Sequence, residues 1–219
     1  IWLDGVYMQG PFNAQFCKVS GDTAGFDDIV DQIIKVYQTL RDEKTGLLYH
    51  AFDESRGQRW SDIETGLSPH FWGRAIGWYC MAILDVLDFL PSMHPKRGEL
   101  AKILVSVLDA LLAYQDESGM WHTVLDDPTS YLESSATCGF GYGILKAVNM
   151  GLLDRSYCAI SDKALCALLA VVDEDGVVQQ VSYGTPMGRE SKNFYKEIPL
   201  RPMPYGQALA MLFLMENQG

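Results

Sequence analysis

The segment Thr65-Gly66-Leu67-Ser68-Pro69-His70-Phe71-Trp72-Gly73-Arg74-Ala75-Ile76-Gly77-Trp78 gathers the side chains best suited to chemistry on a sugar acid. Ser68 is a good N-cap and Pro69 a good first helical residue, so the spacing predicts a helix that begins there. Arg74 and Trp78 then stand at i and i+4 on one face, with Trp72 near the helix N-terminus. A guanidinium offers a planar fork for a carboxylate, indoles stack on a sugar ring, and the positive end of a helix dipole favours an anion. The same residue types also make a core of aromatics with an Arg paired to a loop carboxylate, and spacing does not separate the two.

Asp4 is an isolated carboxylate among Trp2, Leu3, Val6, Tyr7 and Met8, at the start of a helical stretch. Burial there would favour the protonated carboxyl that a general acid needs, whereas an Asp at a helix start is equally well read as an N-cap. His50 follows a glycine turn at Gly46 and could hydrogen-bond or handle a proton. His122, at the equivalent place one repeat later, reads as structural.

Other chemistries find little support. Asp27-Asp28 and Asp126-Asp127 are adjacent pairs in polar surroundings, without an HExxH, EF-hand or Cys/His set, so solvated charge is expected and no metal or cofactor. Gly139-Phe140-Gly141-Tyr142-Gly143 lies inside a helical run with no strand before it, which argues for close helix packing over a phosphate loop. No GxSxG elbow occurs. Five cysteines form no CxxC pair and read as buried free thiols of a reducing compartment, which suggests the cytoplasm. The chain opens on Ile1 with no initiator Met, so an upstream portion, and with it a periplasmic address, stays open.

With 17 Lys and Arg against 28 Asp and Glu, the net charge is -11, and no basic stripe interrupts it. Nucleic acid and anionic membranes are therefore poor partners. No run reaches the roughly 18 apolar residues that a membrane span requires. An acidic protein can still take an acidic sugar, since one Arg in a cleft outweighs a screened surface field.

The elements that must position these residues are helices. Residues about 26–41 carry an apolar face of Phe26, Ile29, Val30, Ile33, Ile34 and Tyr37, whereas about 69–90 is apolar nearly all round. The alternation continues with an amphipathic helix at about 97–115, a small-residue inner helix at about 131–149, a weaker outer one at about 156–171 and an inner one at about 204–217. With the segment after Asp4 counted first, seven helices run inner, outer, inner, outer, inner, outer, inner. Turns at Gly46, Gly119 and Gly176, 73 and 57 residues apart, each lead into a short apolar run, as diverged helical hairpins would. Buried helices ringed by amphipathic ones describe an all-α toroid better than a four-helix bundle.

The motifs IWLDGVYMQGPF (1–12), TGLLYHAFDESR (45–56), TGLSPHFWGRAIGWY (65–79), YLESSA (131–136) and PMPYGQALA (202–210) together resemble the unsaturated rhamnogalacturonyl hydrolases of glycoside hydrolase family 105. The resemblance runs over essentially the whole chain; the related family 88 of unsaturated glucuronyl hydrolases matches these motifs less closely. It implies an (α/α)6 barrel of twelve helices, of which residues 1–219 form the C-terminal portion, with five helices and a second pocket Asp ahead of Ile1. It also implies that Asp4 is the catalytic acid and base, and that His50, Trp72, Arg74 and Trp78 line the substrate pocket. The substrate would be an unsaturated uronic-acid oligosaccharide left by a polysaccharide lyase. An unsaturated glucuronyl hydrolase, an inverting glycosidase, a lyase, and an inactive carbohydrate-binding fragment of the same fold are the alternatives.

Overall fold

In the computed structural model, which describes residues 1–184 and 193–217, the chain forms α1 (Gly5–Ser20), α2 (Ala24–Leu40), α3 (Gly73–Phe89), α4 (Arg97–Leu112), α5 (Ser134–Asn149), α6 (Cys158–Leu169), the single turn α7 (Asn193–Lys196) and α8 (Pro204–Glu216). Among the described residues no strand forms, and the only β contacts are isolated bridges between loops. The helices make two layers. The inner row α1, α3, α5, α8 packs side by side, and α2, α4 and α6 cover it from outside.

This order follows from the apolar patterning. Seven residues of α2, from Phe26 to Leu40, are buried on one face, while thirteen of the seventeen residues of α3 are buried on all sides. In α5, glycine spacing sets the packing distance: a Cβ on Gly139 would stand 3.3 Å from the Cα of Gly77, so α3 and α5 approach backbone to backbone. The turns at Gly46, Gly119 and Gly176 all adopt positive φ, 76°, 95° and 78°, and each closes a small bridge: Arg41 with Leu48, Gln115 with Trp121, Val172 with Val178. An Asp opens each of them, with Asp42, Asp116 and Asp173 accepting from the backbone N–H of Thr45, Ser118 and Asp175.

Two helix starts differ from expectation. The helix carrying Arg74 begins at Gly73, not at Pro69, and Ser68 caps nothing. Its upstream residues spend their backbone groups on other loops: Ser68 N–H donates to Ala51, His70 C=O accepts from His50, Phe71 C=O accepts from Leu125, and Gly73 N–H donates to Thr123. A chain tied on both sides in this way is extended at Trp72 and cannot coil earlier. Likewise α5 starts after Glu133, which is its cap and not an interior residue.

At the two ends of the inner row, apolar side chains face outward. Met8, Phe12, Phe16 and Val19 form an exposed stripe on α1, and Met211 and Met215 are exposed on α8. Among the described residues no helix is long and apolar enough to cross a membrane.

Candidate active site

The N-terminal ends of α1, α3 and α8 converge on a cavity of about 660 Å³ lined by Trp2, Asp4, Gly5, Tyr7, Met8, Arg74, Trp78 and Tyr205. None of these three helices carries a side-chain cap, so the positive ends of their dipoles face the cavity without a capping side chain.

Asp4 occupies the N-cap position of α1, yet its side chain caps no backbone N–H. The carboxyl instead turns to His50, with Oδ2 3.1 Å from Nε2. Backbone pairing brings the two together: Leu3 N–H donates to the His50 carbonyl, and Trp2 bridges Ala51. His50 is fully buried; its Nδ1 meets the hydroxyl of Tyr195 at 2.7 Å and its ring lies 4.7 Å from that of Trp72. The other carboxyl oxygen of Asp4, Oδ1, is buried and has no hydrogen-bond partner among the described residues.

Arg74 is almost wholly buried, with its guanidinium 4.4 Å from the Trp72 ring and 4.7 Å from the Tyr205 ring. The aromatics flanking the guanidinium are thus Trp72 and Tyr205, while Trp78 packs against Tyr7, with ring centroids 4.7 Å apart, across the cavity wall. Nη1 donates to Ser135 Oγ and to both oxygens of Ser182, and Nη2 donates to Gly184 C=O. The guanidinium also hydrogen-bonds the Tyr205 side chain. Glu133 balances the charge from behind, 4.0 Å from Nη1. Its carboxylate also accepts from the N–H groups of Ser135, Ala136 and Ser182, so one buried anion ties α5, the Ser182 loop and Arg74 together.

Of the five residues expected at the site, Asp4, Arg74 and Trp78 line the cavity, and His50 and Trp72 stand behind it as the supports of Asp4 and Arg74. Trp72 is fully buried, and its indole N–H donates to Thr123 Oγ1. His122 holds the Ser130 carbonyl, away from the cavity. Sequence reasoning missed Tyr7, Tyr195, Tyr205 and Glu133. Tyr205 follows Pro204 at a helix start, a readable signal; Tyr195 sits in a single turn with no periodic signal. Burial and the neighbouring Asp85 push the Tyr7 hydroxyl up to about 12, so it stays a hydrogen-bond donor at neutral pH. Among the described residues no three His, Cys, Asp or Glu side chains are grouped to hold a metal ion. The five cysteines are unpaired, and burial pushes the thiols of Cys80 and Cys138 well up.

A two-layer helical fold in which α1, α3 and α8 point their N-termini into an aromatic cavity holding an acid and a guanidinium is an α/α-hairpin protein with a cleft suited to an anionic ligand. More narrowly, the chain belongs to Glycosyl Hydrolase Family 88, whose model matches residues 1–218. It is 34% identical over 98% of its length to the unsaturated rhamnogalacturonyl hydrolase YesR of Bacillus subtilis, covering 59% of that protein. Among solved structures, a family 105 glycoside hydrolase from C. acetobutylicum superposes with a TM-score of 0.94 at 39% identity, covering all of this chain and 65% of that one. A possible family 105 member from Salmonella enterica gives 0.90 at 37%, covering 99% and 56%. The chain thus spans about three fifths of the length of these relatives.

Proposed function

We propose that this protein is a hydrolase that removes a 4,5-unsaturated uronic acid from the non-reducing end of lyase-generated, rhamnogalacturonan-type oligosaccharides, with Asp4 as general acid and base. One observation carries the reading: Asp4 stands where an N-cap belongs, but its carboxyl caps nothing and is presented to His50 at the cavity wall. A structural Asp would have used the helix N–H groups.

In such a substrate the double bond is an enol ether conjugated to the sugar carboxylate. Protonation at C4 by Asp4 leaves positive charge shared by C5 and the ring oxygen. The ionised Asp4 then takes a proton from water as it adds at C5, and the hemiketal formed opens and expels the neighbouring sugar. No sugar–enzyme bond forms, unlike the two-carboxylate displacement at an anomeric carbon. The Arg74 guanidinium at the cavity wall, together with three helix N-termini without side-chain caps, suits the carboxylate. Trp78 and Tyr7 supply an apolar wall for the ring.

The exposed stripes on α1 and α8 fit packing against the rest of a six-hairpin ring, whose remaining helices would lie upstream of Ile1 and supply the second acidic group. The test uses the protein with any residues encoded ahead of Ile1. On a lyase-generated unsaturated rhamnogalacturonan disaccharide, the ultraviolet absorbance of the enol ether should decay as free sugar appears. Absorbance that persists, or that rises on the uncleaved polymer as a lyase would make it rise, rejects the reading.

A further inference from the structure

Tyr195 is fully buried on α7, and its hydroxyl lies 2.7 Å from Nδ1 of His50, whose Nε2 faces Oδ2 of Asp4 at 3.1 Å. The turn that carries it is moored by Lys196, whose ammonium is 2.7 Å from Asp127. A neutral imidazole has one N–H and one lone pair, so the two contacts are coupled. If the phenol donates to Nδ1, the imidazole proton resides on Nε2 and is donated to Oδ2. In the opposite arrangement Nδ1–H donates to the phenol oxygen, and Nε2 draws the proton of Asp4 toward itself and away from any substrate.

We infer that Tyr195 is a positioning residue that holds His50 in its Nε2–H form, making Oδ2 of Asp4 an acceptor and leaving the carboxyl proton on Oδ1. The carbonyl oxygen of a neutral carboxyl is the better acceptor, which matches Oδ2 as the oxygen bonded to His50. Oδ1 has no partner among the described residues that would compete for the proton. When that proton moves, the Oδ1–H bond breaks and the double-bond pair forms C4–H. The charge left on Asp4 is then met by the Nε2–H donor already in place, a bond that strengthens as the acceptor ionises. The catalytic consequence rests on the reaction proposed above; the tautomer does not.

The experiment is ¹⁵N NMR of the protein with labelled histidine. Only four histidines are present, and His50→Gln assigns the signal. The parent should show an unprotonated Nδ1 and a protonated Nε2 for His50, and Tyr195→Phe should shift it toward a mixture of tautomers. In turnover, Tyr195→Phe should lower kcat roughly tenfold with KM unchanged, at the lower end of or below general acid–base effects. Circular dichroism checks that the variant folds. A parent His50 protonated on Nδ1, or a Tyr195→Phe variant with the same tautomer and kcat, overturns the inference. A parent protein without any turnover counts against the reaction, while the tautomer is still read by NMR.

Discussion

The ring of Phe213 on α8 lies against Gly141 on α5 so closely that a Cβ on that glycine would stand 2.4 Å from the nearest ring atom. Phe213 is itself fully buried and has little room to yield. Gly141→Ala is therefore expected to destabilise the fold by about 1–3 kcal/mol, despite a helix-propensity gain of about 1 kcal/mol. Two residues on, a Cβ at Gly143 would meet nothing nearer than 3.6 Å. Gly143→Ala should be neutral or stabilising. Denaturant midpoints of the two variants check the contrast, and equal shifts would mean that the packing between α5 and α8 is not as described.

Asp4→Asn keeps the shape of the side chain and removes the transferable proton. Turnover, followed by loss of enol-ether absorbance, should fall by roughly 10²- to 10⁴-fold while substrate affinity holds. In heavy water the parent enzyme should place deuterium at C4 of the product. Product without it would mean that the proton does not come from an exchangeable acid, and near-normal turnover by Asp4→Asn would remove Asp4 from the mechanism.

Arg74→Lys retains the charge but not the plane. A lysine cannot lie between the Trp72 and Tyr205 rings while also reaching Ser135, Ser182 and Gly184, and it has no side-on pair of N–H groups. Affinity for the unsaturated uronide, measured by titration calorimetry, should drop at least tenfold, with a lower melting temperature because Glu133 loses a well-fitted counter-charge. Unchanged affinity would make Arg74 a purely structural residue.

The mooring of α7 gives a pH dependence. The hydrogen bond from Lys196, with help from Thr129, holds the Asp127 carboxyl down at about 2, below the roughly 3.9 of an unfolded aspartate. A depressed carboxylate stabilises fully above its unfolded value, and that stability is lost as pH falls from about 4 through about 2. Asp127→Asn should therefore melt lower than the parent at pH 6, and the gap should close at the acid end of that window. A gap that stays constant to pH 2 would show that the ion pair contributes no stability.

How much of this was legible beforehand differs by level. The alternation of one-faced and all-round apolar helices is a local, periodic signal, and it placed the inner and outer rows correctly because burial in a two-layer fold depends on which face of each helix is apolar. The glycine turns were legible for the same reason: positive φ is a demand on one residue. The start of α3 was not, since Ser68-Pro69 is a sound local signal overruled by backbone hydrogen bonds to residues 51 and 123. Glu133 was hidden by the same error at α5, where a cap was read as an interior position.

The site itself divides along this line. Asp4, Arg74 and Trp78 could be named from the sequence because motif and helix register carry them. Whether Asp4 caps a helix or faces a histidine could not, because the alternative partner, His50, is 46 residues away and Tyr195 is a further 145. Periodicity reports what a residue's neighbours along the chain require. The hydrogen bonds that orient the carboxyl of Asp4 and the guanidinium of Arg74 join segments with no shared period, so only the packed tertiary structure decides them.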